Sequence, residues 1–240
     1  MMPVLQKTTL AVSLLCMLYA NLLGGKDGAR HDMYNAFPTA FAPAPYTFAI
    51  WAPIFLGCIA LTVYLCVVSG EQTPFRPSLI SWVAAAFMFT ALTAYTPIGL
   101  SNLVVMGALM CLSIAFHHSA EPASGASGLN YWCVRMPIAI FLAWTLVATL
   151  LNGCQWAVSK GWDVDPVEAS ILIGLASLIG LVVALGYREM ACAVVLIWAF
   201  CGIVVARPDE RLLLVTTCLG TACLVGAVIY LFDKGYINRN

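Results

Sequence analysis

The residues best placed to do chemistry lie on two helical faces. At about 100° per residue, Pro137, Phe141, Trp144, Ala148, Asn152 and Gln155 fall within an arc of about 80°. Rings, a small residue and two amides therefore share one stripe. The chemistry of that set is non-covalent: Trp144 offers a flat apolar surface, Ala148 leaves room, and Asn152 supplies a polar contact to a lipophilic ligand. The same stripe also reads as packing, because amides in an apolar helix find partners inside a bundle. A second face carries Thr47, Phe48, Trp51, Phe55, Cys58 and Thr62. Pro43 and Pro45 stiffen its approach. Pro53, lacking an N–H, predicts a kink near Ala49. An aromatic stripe of this kind also serves as core, so both readings stand for each helix taken alone.

Other chemistries lack their residues. No Asp, Glu, Lys or Arg stands near the middle of an apolar run; Glu168 and the Arg188-Glu189 pair fall at run ends. Proton-coupled transport and voltage sensing need ionisable groups at the midplane. No paired carboxylates suggest acid–base catalysis, and no GxSxG, HExxH or phosphate-binding loop occurs. His117 and His118 are adjacent, so on a helix they point about 100° apart and mark a wet helix end. The ten cysteines form no CxxC pair and no zinc spacing; they read as small buried hydrophobes. No catalytic residue and no metal ligand is expected, and the chain is read as a non-enzyme. Were it an enzyme on a lipophilic substrate, Asn152, Gln155, Glu168 and Glu189 would be the polar groups to test.

The elements that must position these faces follow from composition. Of 240 residues, 62% are hydrophobic and 9% charged, against roughly 25% charged in soluble domains. So few charges cannot cover a water-exposed surface, and the chain belongs in lipid. Its formal net charge of zero offers no basic surface for nucleic acid. Eight apolar runs succeed one another: Thr8 to Leu23, Tyr46 to Val68, Ser78 to Tyr95, Leu100 to Phe116, Tyr131 to Val158, Val167 to Gly186, Met190 to Ala206 and Leu212 to Phe232. The first follows Lys7 like a leader peptide but lacks a small-x-small cleavage site, so it is read as a retained helix. Pro97 and Gly99 separate the third and fourth runs. Trp156 and Trp162 suit an interface belt, and Pro166 with Glu168 in the first turn makes a good helix start. Irregular backbone is untenable in hydrocarbon, and the alternation of a β-barrel is absent. The fold class is therefore all-α, a polytopic transmembrane bundle of about eight helices, in a membrane whose identity the sequence does not name.

With eight spans both termini share a side, carrying Lys7, Arg76, Arg135, Arg188, Lys234 and Arg239 against Lys26, Arg30, Lys160, Arg207 and Arg211. Six against five is no usable bias; the reading leans to cytoplasmic termini. In the last three runs Ser170/Gly174, Ala176/Gly180, Thr216/Gly220 and Ala222/Gly226 are small-xxx-small pairs, which suit internal packing first and dimerisation second.

Two segments together resemble the TspO/MBR family of tryptophan-rich sensory or translocator proteins. The first is Ala42-Pro43-Ala44-Pro45-Tyr46-Thr47-Phe48-Ala49-Ile50-Trp51-Ala52-Pro53-Ile54-Phe55-Leu56-Gly57: a proline-containing loop, Phe48, Trp51 three residues on, and an aromatic-Leu-x-Gly-like continuation. The second is Pro137 to Asn152, with Leu142-Ala143-Trp144, Ala148-Thr149 and Leu151-Asn152, similar to the family's last core helix. The family's middle helix carries an Asn and a Trp near a Ser-Pro-like step; here Ala91 to Pro97 holds Tyr95 in place of the Trp. The Tyr of the cholesterol-recognition motif is absent. The resemblance covers roughly residues 8 to 160.

It implies a five-helix membrane core over residues 1–160 and a three-helix membrane extension over 161–240. Longer members of the family look similar in that extension, with a Trp near Trp198 followed by a Gly near Gly202. It implies a tetrapyrrole (porphyrin), sterol or similar lipophile as ligand, and a sensory, stress-response or transport role. Carried over by position, Phe48, Trp51, Trp144, Ala148 and Asn152 would line the pocket, with Phe55 beside Trp51 on the same face. Apart from a bound tetrapyrrole or lipid, no cofactor is expected. Partners are the bilayer, the lipophile, and a homo-oligomer or membrane complex. The alternative reading is a structural accessory subunit of a larger membrane complex.

Overall fold

The computed structural model describes residues 4–23, 36–68, 77–120 and 128–234. Among the described residues every regular element is helical. The long helices are α1 (Val4–Leu22), α2 (Trp51–Val63), α3 (Pro77–Leu92), α4 (Ile98–Ala120), α5 (Met136–Ser159), α6 (Pro166–Tyr187), α7 (Met190–Ala206) and α8 (Arg211–Asp233). A 3-10 helix, Pro45–Ile50, runs directly into α2, whose far end is a π-helical turn, Tyr64–Val68. Gly128–Asn130 and a second π-helical turn, Tyr131–Arg135, lead into α5. Lipid offers backbone groups no partner, so apolar segments close their hydrogen bonds internally.

Among the described residues, five stretches are long and apolar enough to span a bilayer: Pro45–Val67, Ile98–Ser119, Gly128–Ser159, Pro166–Tyr187 and Arg211–Asp233. Ser78–Leu92 and Met190–Ala206 are apolar but shorter. The 17 residues of α7 run about 26 Å, slightly under a hydrocarbon core of about 30 Å. α1 starts earlier than its apolar run and takes in Gln6 and Lys7. The lysine is accommodated because Lys7 Nζ donates to the Cys66 carbonyl at 2.6 Å, placing a cation among the last carbonyls of a helical segment.

Contacts divide the chain into two compact units: Met1–Asp32 with Trp51–Leu142, and Met33–Ile50 with Ala143–Asn240. In the first, α3 packs chiefly on α4 and α1, burying Leu10, Leu14 and Met17 against a core that includes Leu79, Val83, Phe87, Ala108 and Leu112. Gly57, at the end of the first motif, lies under Pro137: a Cβ there would stand 3.1 Å from the proline Cβ. The third apolar run stops being helical sooner than expected. α3 ends at Leu92, and Ala94 and Tyr95 close turns by donating to Ala91 O and Leu92 O at 3.2 and 3.0 Å. Pro97 follows, and disfavours helix in the residue before it.

In the second unit α8 packs on α6 and α7, and α6 on α7. The small-residue pairs divide by face. A Cβ at Gly180 would overlap Leu196, and one at Gly220 would overlap the Ser177 hydroxyl, so both glycines are internal contacts. Gly174 and Gly226 have nothing within 4 Å. α6 starts on a capping box: Asp165 accepts from Val167 N at 2.6 Å, and Glu168 accepts from Asp165 N at 3.2 Å. It ends at Arg188, whose φ of 54° is left-handed, and Glu189 at once caps α7 by accepting from Ala191 N at 3.1 Å. The cysteines are free. Cys58, Cys111, Cys154 and Cys192 are buried as expected of small hydrophobes, whereas Cys201, Cys218 and Cys223 lie on outward faces.

Candidate functional site

The segment leading to Phe48 is irregular in sequence, with Pro38, Pro43 and Pro45, yet it is tightly held within the second unit. Ala40 N donates to Val164 O at 3.3 Å, and Phe41 N to Thr39 Oγ1 at 3.1 Å. Ala44 N donates to Gly202 O at 2.9 Å. Trp198 Nε1 donates to Thr47 O at 2.9 Å, and Arg207 Nη2 to Thr39 O at 3.2 Å. The kink expected near Ala49 takes the form of a change of helix type: 3-10 geometry through Ile50, then α from Trp51. Pro53 sits in the first turn of α2, where its missing N–H costs least.

This held segment presents Phe48 to Trp144. The rings meet edge to face, centroids 5.7 Å apart at 89°, an arrangement worth about 0.5–1.5 kcal/mol beyond its burial. Trp144 is 2% exposed. Ala148 and Asn152 follow on the same face of α5, each half-buried. Asn152 Nδ2 donates to Ala148 O at 2.8 Å, one turn back, so the amide expected to meet a ligand closes a bond within its own helix. Gln155, one turn further, is the more deeply buried amide at 3% exposure, and its Nε2 has no hydrogen-bond partner. An unsatisfied buried donor costs about 1–3 kcal/mol.

Trp51 and Phe55 belong to the first unit. They stack at 5.2 Å and 27°. Trp51 also meets Phe141 at 6.2 Å, and Phe141 meets Phe87 at 6.3 Å. Phe87 on α3 is not among the residues singled out from the sequence, since Phe87 and Phe89 two residues apart in an apolar run carry no helical-face signal. Tyr95, standing for the family's Trp, is 61% exposed in the α3–α4 turn. Tyr46 and Trp198 form a further edge-to-face pair at 5.5 Å and 86°; sequence pointed to Trp198 only through the resemblance.

The polar groups have local duties. Glu168 and Glu189 both accept backbone N–H groups at helix starts. Asp165 sits below the ordinary carboxylate value, first through its hydrogen bond with the Glu168 side chain and then through the Val167 N–H. The His117 and His118 rings lie 6.1 Å apart, centroid to centroid, with their planes at 77°. An open groove of about 260 Å³ in the second unit is lined by Pro38, Thr39, Asp163, Asp165, Arg207 and Glu210 among others. It is polar, and Phe48, Trp144, Ala148 and Asn152 do not line it.

The family model described as TSPO-like protein matches residues 4–231. No curated protein and no solved structure matches the chain. The match takes in both motif segments and continues to residue 231 in α8, and among the described residues five stretches are long and apolar enough to span a bilayer. The chain belongs to the TSPO-like family and is an integral, multi-pass membrane protein.

Proposed function

We propose that the protein binds a lipophilic ligand, a tetrapyrrole, sterol or similar molecule, against the α5 face of Trp144, Ala148 and Asn152 beside Phe48, in a sensory or transport role. The observation carrying this reading is the Phe48–Trp144 pair, 5.7 Å apart, set beside small and amide residues on a helix of spanning length. Gln155 Nε2, buried without a partner, supports a ligand that brings a hydrogen-bond acceptor. Trp51 and Phe55 stack on each other within the first unit, and the reading does not rest on them. The engagement of Glu168 and Glu189 in helix starts supports a binding protein over an enzyme.

The test is tryptophan quenching by protoporphyrin IX, and separately by a fluorescent sterol, on purified protein in nanodiscs. Ala148→Leu adds three carbons beside Trp144; overpacking of about 1–3 kcal/mol corresponds to about 5- to 150-fold weaker binding. Trp144→Phe weakens binding and removes part of the quench. Unchanged affinity in both variants would overturn the reading.

A structural accessory role is favoured by one observation: Gly174 and Gly226 present faces with nothing within 4 Å, the kind of surface that lets another helix approach. Native mass spectrometry decides it. A co-purifying partner or second copy, lost in Gly226→Ile, supports this role; a monomer without partners sinks it.

A further inference from the structure

We infer that Trp198 and Gly202 of α7 are positioning residues for Phe48: together they seat the 3-10 helix and thereby set the ring that meets Trp144. The two lie four residues apart, one turn along a single face of α7. Between them they hold three residues of the incoming segment. Gly202 O accepts from Ala44 N at 2.9 Å. Trp198 Nε1 donates to Thr47 O at 2.9 Å. The Trp198 ring takes the edge contact with Tyr46 at 5.5 Å.

Gly202 does what no other residue could. A Cβ built there would overlap Thr47 Oγ1 and stand 3.0 Å from both Thr47 Cβ and Cγ2. Thr47 is fully buried, and its hydroxyl finds no hydrogen-bond partner. Thr47 is thus held by shape, pressed onto the bare backbone of α7, and polar bonding of its side chain plays no part. Phe48 is the next residue. A displacement of Thr47 by a few tenths of an ångström is carried through one peptide plane to Phe48, whose ring meets Trp144 edge to face. A helix of the extension therefore sets the geometry of an aromatic pair on the motif segments. All these contacts lie within the second unit. The seat stands on them alone; its consequence for ligand affinity rests on the function proposed above.

The test uses the full chain in nanodiscs, labelled with 5-fluorotryptophan and observed without ligand by fluorine NMR. Trp144→Phe assigns the Trp144 signal, and Phe48→Ala gives its position when the neighbouring ring is lost. Gly202→Ala is expected to move the Trp144 signal towards the Phe48→Ala position, and Thr47→Ala added to it to bring the signal back. Trp198→Phe keeps the ring packing, removes the donor, and is expected to move the signal in the same direction; it decides the matter if Gly202→Ala does not fold. Leu231→Ala, which truncates a buried side chain near the end of α8, is the control for general destabilisation: it should lower the thermal midpoint and leave the Trp144 signal in place. The seat is overturned if Trp198→Phe and Gly202→Ala leave the signal unmoved, if Thr47→Ala gives no rescue, or if Leu231→Ala moves it equally. Protoporphyrin IX affinity is the separate readout. Trp198→Phe should weaken it about five- to tenfold, the factor one buried hydrogen bond represents. A moved signal with unchanged affinity would refute the ligand site and leave the seat intact.

Discussion

Gly220 and Gly226 stand on one helix, and each closes a small-xxx-small pair, yet alanine should act on them with opposite sign. Removing a glycine from a helix interior gains about 1 kcal/mol of propensity. At Gly226 nothing lies within 4 Å, so Gly226→Ala keeps that gain. At Gly220 the new Cβ would overlap Ser177 Oγ and stand 3.3 Å from Phe200 Cε2. The hydroxyl donates to Ile173 O at 2.8 Å, and turning it away gives up a bond of about 1 kcal/mol. Phe200 is fully buried and has no room to retreat. Overpacking of this kind costs about 1–3 kcal/mol, which exceeds the propensity gain. Gly220→Ala should therefore be destabilised by about 1 kcal/mol and lie about 2 kcal/mol below Gly226→Ala. Ser177→Ala combined with Gly220→Ala should recover most of the loss, with a coupling of about 1 kcal/mol or more. Reversible unfolding in mixed micelles, followed by circular dichroism, measures all five proteins: wild type, Gly220→Ala, Gly226→Ala, Ser177→Ala and the double variant. Equal shifts of the same sign for the two glycine variants would refute the assignment of faces.

Three further outcomes are expected. Glu189→Ala removes the side chain that accepts from Ala191 N and should cost about 1 kcal/mol, with Glu189→Gln intermediate; equal stability of all three forms would show the cap to be idle. Asp165 is held below its ordinary value, so its support of α6 is fully present above the ordinary carboxylate range and is lost as pH falls through the lower folded value. Hydrogen exchange at Val167 should stay slow until that range is passed, and early loss of protection would contradict this. Lys7→Met removes the donor to Cys66 O and should speed exchange in the Tyr64–Val68 turn while α4 is unchanged; no change in that turn would show the lysine to be incidental.

The helices were legible because hydrocarbon leaves an apolar run no other regular choice. The run from Met190 to Ala206 coincides with α7, those around α6 and α8 agree within a residue, and that from Tyr46 to Val68 agrees with the continuous helical stretch Pro45–Val68, of which α2 is the middle part. The α1 boundary was missed because Lys7 looked like a flank; only the fold supplies the Cys66 carbonyl that lets it enter a helix. On the candidate site, the α5 face was readable from angular spacing, since Trp144, Ala148, Asn152 and Gln155 depend on one helix alone. The meeting of Phe48 with Trp144 was not, because it depends on a turn held by residues about 150 positions away, at a separation of 151 for the Trp198–Thr47 bond. Nor could spacing rank the two amides: Asn152 bonds back to its own helix, while Gln155 is the one left with a buried donor.

The central claim is that a lipophile rests against the α5 face beside Phe48. Photo-crosslinking with a diazirine sterol and with a diazirine porphyrin ester, followed by peptide mapping of the full chain in nanodiscs, tests it most directly. Label from at least one probe should concentrate on the peptides holding Phe48 and Trp144 to Asn152, be competed by excess unlabelled ligand, and fall in Ala148→Leu. Label spread evenly over outward helix faces with both probes, and indifferent to Ala148→Leu, would contradict the account.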